Sequence, residues 1–162
     1  MRNGNIGVVF VIVTSLLVRA AAAQAPATTL PADPMLGTWI LDLAKSKYET
    51  PAPKSQSVTI TPAARGYTFT VDITGPDGQS QKWGFTSAFD GAETPVSGTP
   101  LLDTVVASST GSGSTVRYKK AGTVITSTTS TVSEDGKTLV VTIKIPGGQG
   151  KEFTNIAVYE RR

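Results

Sequence analysis

The chain has 162 residues, a formal net charge of +3, and neither histidine nor cysteine. It therefore has no means to form a Ser-His-Asp triad, a Cys-His pair, a disulfide or a zinc site of imidazole and thiolate ligands. Haem held by an axial histidine or cysteine is excluded on the same ground. The length predicts one domain with its own hydrophobic core.

The N-terminus has the layout of a secretory signal peptide. Met1–Asn3 carries a positive charge, Ile6–Val18 is almost unbroken apolar sequence, and "AAAQA" follows with small residues. This order predicts a signal peptide over 1–23, cleaved after Ala23 or Ala25, and a periplasmic or secreted protein. An uncleaved anchor helix is the alternative, although the apolar run is short for a membrane span.

Cleavage changes the charge of the mature protein. Loss of Arg2 and Arg19 lowers the net charge from +3 to +1. A balance so near zero gives little reason to expect a nucleic-acid partner or an anionic membrane surface. We therefore expect a monomer without nucleic acid and without stable membrane insertion after cleavage.

The next segment, 24–34 ("QAPATTLPADP"), is rich in Pro, Ala and Thr and predicts an extended linker. From there the domain over 35–162 has an apolar period of two. In "GYTFTVDIT", for example, aromatic and branched residues alternate with threonine and aspartate, which is typical of half-buried strands. Leu43–Tyr48 has room for one helical turn at most. The predicted strands are 37–42, 56–61, 66–74, 80–88, 92–97, 103–108, 114–120, 123–132, 137–145 and 151–160.

Short turn signals separate the strands. Asp77-Gly78, Asp90-Gly91 and Asp135-Gly136 predict hairpin turns, in which glycine supplies a positive φ. This spacing indicates a meander of antiparallel strands, each with one apolar face. An all-β, up-and-down barrel would bury those faces and remove the exposed sheet edges. A two-sheet sandwich remains the alternative from the pattern alone.

Four segments carry a resemblance to a known superfamily. They are "LGTWILDLAKSKY" (Leu36–Tyr48), "PAPKSQSVT", "EDGKTLVVT" and the terminal "NIAVYER". The first resembles the G-x-W strand of the calycins, which include the lipocalins and fatty-acid-binding proteins. The four together resemble secreted bacterial lipocalin-like proteins of unassigned function. The resemblance implies a barrel around a cavity for a small apolar molecule.

The resemblance also implies structural roles for three residues. In the calycins the tryptophan of the G-x-W strand packs across the closed end of the barrel, often beneath a basic side chain from the last strand. Gly37 and Trp39 match that strand, and Arg161 is the candidate for the stacked cation. A cation–π contact of this kind contributes about 0.5–2 kcal/mol.

Two features depart from the fatty-acid-binding branch. "ETPAP", Glu49–Pro53, stands where that branch has a helix-turn-helix lid, so the cavity should be more open or smaller. That branch also holds its carboxylate with an Arg-x-Tyr pair on the last strand. Here the order is Tyr159-Glu160-Arg161, so those anchoring residues are not carried over.

Candidate ligand-binding residues come from two neighbouring strands and one later strand. If Arg117 points inward, it is the plausible internal cation for an acidic ligand; a polar outer face is the alternative. The aromatic residues share the apolar parity of their strands, and either line a cavity or fill the core. This aromatic set comprises Tyr67, Phe69, Trp83, Phe85 and Phe89.

No motif predicts catalysis, a metal or a cofactor. The acids Asp77, Asp90 and Asp135 fit turn positions, and "GGQGK" fits a hairpin turn better than a phosphate loop. The hydroxyl residues of Ser127–Ser133 are interpreted as an exposed polar face. The leading hypothesis is an exported carrier of a fatty-acid-like or lipid-like ligand, without catalysis. A filled barrel that acts as an envelope or protein-interaction module is the alternative, and an enzyme using a cavity carboxylate or lysine is a third.

Overall fold

The structure is a computed structural model that describes residues 33–110 and 113–162. Ten antiparallel strands close into one up-and-down barrel, each paired with its neighbours in sequence, and β1 also pairs with β10. The part described contains one 3₁₀ turn, Gly148–Gly150, and no helix long and apolar enough to cross a membrane. The strands are β1 (Gly37–Leu41), β2 (Ser55–Pro62), β3 (Tyr67–Thr74), β4 (Ser80–Ser87), β5 (Asp90–Ser97), β6 (Thr104–Thr110), β7 (Gly113–Lys120), β8 (Thr123–Val132), β9 (Thr138–Pro146) and β10 (Glu152–Arg161).

The observed strands confirm the predicted all-β barrel and exclude the sandwich. Every predicted strand is present, with its ends displaced by at most two residues. β9 shows why the period of two was informative: Leu139 is buried, whereas its neighbour Val140 is exposed. Because successive side chains in a strand point to opposite faces, one parity forms the interior of the barrel. The predicted signal peptide, 1–23, lies outside the described residues.

The strand ends near Trp39 form a packed end of the barrel, which we call the closed end. Trp39 has no solvent exposure and forms a buried cluster with Ile60, Leu139, Ala157 and Tyr159. Its indole Nε1 donates a hydrogen bond of 3.0 Å to the carbonyl of Met35. Trp39 therefore acts as a plug, as the resemblance implied.

Arg161 covers this plug from the last strand. It lies opposite Trp39 in the β1–β10 ladder, and its guanidinium carbon is 4.5 Å from the centre of the indole ring. The same guanidinium donates hydrogen bonds to backbone carbonyls of Pro34, Leu36 and Gly136. The predicted cation–π contact is confirmed, and Arg161 also ties three chain segments together.

Gly37 makes room for that guanidinium. Its φ is +128°, a conformation that L side chains rarely adopt, and an added Cβ would lie 3.1 Å from Arg161 Nη1. Any side chain at position 37 would therefore meet both backbone strain and a crowded arginine. The glycine of the G-x-W segment is thus explained by a neighbour more than 120 residues later in the chain.

The chain just before β1 belongs to the barrel. Asp33 accepts backbone hydrogen bonds from Met35 and Leu36 and a hydrogen bond from the Tyr67 hydroxyl. Pro34 offers its carbonyl to Arg161. Asp33 and Pro34, the last two residues of the predicted linker 24–34, therefore contact the closed end.

The connection between β1 and β2 forms no lid helix. One hydrogen-bonded turn joins Leu43 to Ser46, and Lys47 then pairs with Ile156 of β10. The buried Asn155 accepts hydrogen bonds from the backbone of Glu49 and Thr50. The connection is therefore held against β10 by backbone pairing and by Asn155.

The predicted Asp90-Gly91 turn is wrong in position. Both residues already lie in β5, and the reversal of the chain occurs at Ala88 and Phe89. Phe89 adopts a φ of +58°, with its N–H bonded to Ser87 Oγ. Its ring packs against Phe69 at 5.7 Å between centroids, so aromatic burial stabilises a backbone conformation usually left to glycine.

Replacement of Arg161 by alanine should destabilise the barrel. It removes the cation over Trp39 and leaves three backbone carbonyls without their donor, so we expect the free energy of unfolding to fall by about 2–4 kcal/mol. Chemical denaturation of Arg161→Ala and of Arg162→Ala provides the measurement and its control. The exposed Arg162 should change stability by no more than about 0.5 kcal/mol. Equal stability of the two variants would contradict a structural role for Arg161.

Candidate ligand-binding cavity

The barrel encloses a cavity of about 240 Å³ above the closed end. Met35 lies at its floor beside the plug, and Gln56 and Leu102 lie near the opposite end of the strands. Most of the wall is aliphatic, with side chains from β2, β3, β7 and β9. These aliphatic residues are Val58, Ile60, Val71, Val116, Leu139, Val141 and Ile143.

Aromatic side chains form one side of the wall. Phe69 and Phe85 stack almost parallel, with 4.9 Å between ring centroids, and Trp83 meets Tyr118 edge-on at 5.9 Å. β3 and β4 place Phe69 opposite Phe85, so the predicted shared parity brings these rings together. Phe69, Trp83 and Phe85 thus lie at the cavity where the sequence predicted them, as candidates for ligand contact.

Tyr67 and Phe89 lie elsewhere. They line a second, more polar pocket of about 270 Å³ at the closed end, together with Asp33 and Pro34. The Tyr67 hydroxyl is bonded to Asp33, and its ring meets Phe89 edge-on at 5.6 Å. The structure therefore divides the predicted aromatic set in two, because β3 begins below the floor of the main cavity.

Arg117 does not face the cavity, which corrects its assignment as an internal cation. Its side chain is exposed, whereas its strand neighbours Val116 and Tyr118 line the interior. In β7 the inward parity is that of Ser114, Val116 and Tyr118, so Arg117 points outward. Burial of an arginine without a carboxylate partner would also be costly.

The sequence analysis missed a line of hydroxyl groups inside the barrel. Thr126, Thr128 and Ser130 of β8 all line the cavity, directly opposite Tyr118, Val116 and Ser114 of β7. The interpretation of Ser127–Ser133 as an exposed polar face was therefore wrong for Thr128 and Ser130. Only the register between β7 and β8 would have shown that these residues face inward, and a single sequence does not supply that register.

The hydroxyls of this line are joined across the two strands. Ser114 Oγ and Ser130 Oγ are 2.7 Å apart. The Thr128 hydroxyl lies near enough to the Tyr118 phenol to affect its pKa. The result is a polar wall, β7 and β8, that faces the aromatic and aliphatic wall of β2–β4.

Burial keeps the phenols of the interior protonated. It raises the pKa of Tyr118 to about 12, against a smaller opposite effect of the Thr128 hydrogen bond. Burial also raises the pKa of Tyr159, with the nearby Tyr48 and Tyr118 as further causes, and burial alone raises that of Tyr48. The pKa of Tyr67 rises chiefly through its hydrogen bond to Asp33. All four tyrosines of the chain are thus neutral hydrogen-bonding groups at ordinary pH.

Ionised side chains lie on the outside. The ion pairs in the described part, such as Lys119–Glu93 at 2.7 Å, join side chains at least one-fifth exposed. Asp77 and Asp135 accept backbone hydrogen bonds within their turns, as predicted, and the Ser133 hydroxyl lowers the pKa of Asp135. In residues 33–110 and 113–162, no group of three or more acids is placed to hold a metal ion.

No family profile matches the sequence, and no curated protein is detectably similar to it. Among solved structures, the zebrafish ileal bile acid-binding protein in complex with cholic acid is similar in fold. The superposition gives a TM-score of 0.51 at 16% sequence identity and covers 80% of this chain and all of the zebrafish chain. At this identity the likeness concerns the fold alone, and it confirms the calycin-like barrel that the G-x-W segment predicted.

The raised tyrosine pKa values predict a loss of stability in alkali. Unfolded tyrosine ionises near pH 10, so above that pH the unfolded chain releases protons that the folded chain retains. The free energy of unfolding should then fall as pH rises, by up to about 1.4 kcal/mol per pH unit for each buried tyrosine. Phenolate absorbance of the folded and the guanidinium-unfolded protein measures this, and Tyr118→Phe should reduce the slope. Tyrosines that titrate near pH 10 while the barrel remains folded would contradict it.

Proposed function

We propose that this protein is an exported carrier that binds a small hydrophobic or amphipathic molecule in the barrel cavity, without chemical change. The observation that carries the proposal is the cavity itself. Its wall is mostly aliphatic and aromatic, with a few hydroxyl groups on one side, which is the usual composition of a small-molecule site. The cavity of about 240 Å³ favours this proposal over the alternative of a barrel filled by its own side chains.

Binding without catalysis agrees with the chemistry of the wall. Nucleophilic and acid–base mechanisms need a group that is ionised or easily ionised near neutral pH. In the part of the chain that the structure describes, the cavity is lined by aliphatic, aromatic, amide and hydroxyl side chains. Its tyrosines are harder to ionise than free tyrosine, since burial raises the pKa of Tyr118 to about 12.

Export is part of the proposal and is supported by the N-terminal sequence. The order of charge, apolar run and small residues over 1–23 is that of a signal peptide. The chain has no cysteine and therefore no disulfide. Its closed end is held instead by non-covalent contacts of Arg161, including the stacking on Trp39. Mature N-terminal sequencing of the protein from its own host would test cleavage after Ala23 or Ala25.

Binding can be tested with two phenylalanine variants on one strand. Val141 lines the cavity and its neighbour Val140 is 38% exposed. Val141→Phe should occupy part of the cavity and weaken binding of the uncharged fluorescent probe N-phenyl-1-naphthylamine by about tenfold or more. Val140→Phe adds the same ring outside and should leave the affinity within about twofold.

Thermal unfolding of both variants shows whether each remains folded. A folded Val141→Phe protein that binds the probe like the wild type would place the probe outside the barrel and contradict the proposal. The ligand itself can then be sought by mass spectrometry of an organic extract of the protein from its native envelope fraction. A stoichiometric small compound there would identify the class of ligand.

A further inference from the structure

We infer that the cavity selects uncharged amphipathic molecules that carry an oxygen acceptor, such as alcohols, ketones or esters, and discriminates against carboxylates. This inference rests on the proposed carrier function and names its class of ligand. It concerns the same cavity, but it derives from a different set of observations: the absence of charge in the wall and the pairing of its hydroxyls. It also removes ionised fatty acids from the class of ligands that the sequence led us to expect.

The first observation is electrostatic. Among residues 33–110 and 113–162, the side chains that line the cavity include no lysine, arginine, aspartate or glutamate. Arg117 points outward, and Arg161 is already bound to three carbonyls beyond the tryptophan plug. A carboxylate moved from water into this cavity would lose its hydration without gaining an opposite charge, which is strongly unfavourable.

The second observation is the polar wall. Thr126, Thr128 and Ser130 occupy alternate positions of β8, so their hydroxyls follow one line about 13 Å long inside the barrel. The neighbouring β9 has hydrophobic side chains at its inward positions, with Ile143 opposite Thr128 and Val141 opposite Ser130. A cavity for a purely apolar molecule would gain nothing from polar groups here, because each must be kept hydrogen-bonded.

The third observation is how these hydroxyls are used. Ser114 Oγ and Ser130 Oγ are 2.7 Å apart, so one hydroxyl proton of this pair is used for their mutual hydrogen bond. The second proton of the pair is left to donate. The Tyr118 phenol lines the same cavity and also carries a proton to donate. Donors on this wall match the lone pairs of a hydroxyl, carbonyl or ether oxygen.

The size of the cavity limits the ligand. A volume of about 240 Å³ is below the range of about 300–1,000 Å³ that is common for small-molecule sites. It corresponds to about eight water volumes of about 30 Å³ each, so the ligand has roughly ten to twenty non-hydrogen atoms. A medium-chain alcohol fits this limit, whereas a large sterol or phospholipid does not.

The test compares 1-decanol with decanoate, which match in length and differ in charge. Both compete against N-phenyl-1-naphthylamine on the mature protein near pH 8, where decanoate is ionised. We expect 1-decanol to bind at least about tenfold more tightly than decanoate. Decanoate binding as tight as 1-decanol, or tighter, would overturn the inference while leaving the carrier function supported. Failure of the probe and both competitors to bind would instead overturn the carrier function itself.

A matched pair of variants tests the role of the hydroxyls. Thr128→Val removes a cavity hydroxyl with little change of shape, and Thr129→Val makes the same change on the exposed face of β8. Thr128→Val should weaken the binding of 1-decanol about three- to tenfold more than it weakens the binding of the probe. Thr129→Val should leave the affinity for both within about twofold. An unchanged preference for 1-decanol in folded Thr128→Val would show that the β8 hydroxyls do not recognise the ligand oxygen.

Discussion

Closure of the barrel depends on the contact between Trp39 and Arg161 at the junction of the first and last strands. Without that junction the sheet would have two open edges and its apolar face would reach solvent. The guanidinium stacks 4.5 Å from the indole centre and binds carbonyls from the chain before β1 and from the turn before β9. One side chain therefore connects three parts of the closed end, and Gly37 is the residue whose lack of a side chain allows it.

Much of this architecture could be predicted from the sequence, because the signals involved are local or lie on a single strand. A period of two along β3 and β9 indicates which residues face inward, and turn residues mark where strands end. The strand pattern follows from the chain without knowledge of which residue lies opposite which, and the structure confirms it. The plug at Trp39 and the cation of Arg161 over it were implied only by the resemblance of the G-x-W segment to the calycins, and the structure shows this contact.

The parts that could not be predicted depend on register between strands. In β7, Arg117 and Tyr118 alternate in a strand whose two faces are both partly polar, so parity alone does not choose the inward one. In β8 the polar residues occupy both faces, and only pairing with β7 shows that Thr128 faces Val116 inside the barrel. The position of the turn at Phe89 could not be predicted for a related reason. The positive φ of Phe89 is stabilised by packing against Phe69, which is distant in sequence, and phenylalanine itself does not favour this conformation.

The plug and the cavity are physically connected through Met35. Its backbone carbonyl accepts the hydrogen bond from the Trp39 indole, while the residue also lines the cavity floor. The same turn before β1 is held by Arg161 and, through Asp33, by Tyr67. Trp39 therefore does not need to touch a ligand to influence binding, because it positions the residue on which the ligand would rest.

The charge of Arg161 is used at the closed end, where the guanidinium is bound to carbonyls and stacked on the indole. The described side chains that line the cavity above it are uncharged, and this, combined with a line of hydroxyl groups, distinguishes the cavity from one that holds an anion against a cation.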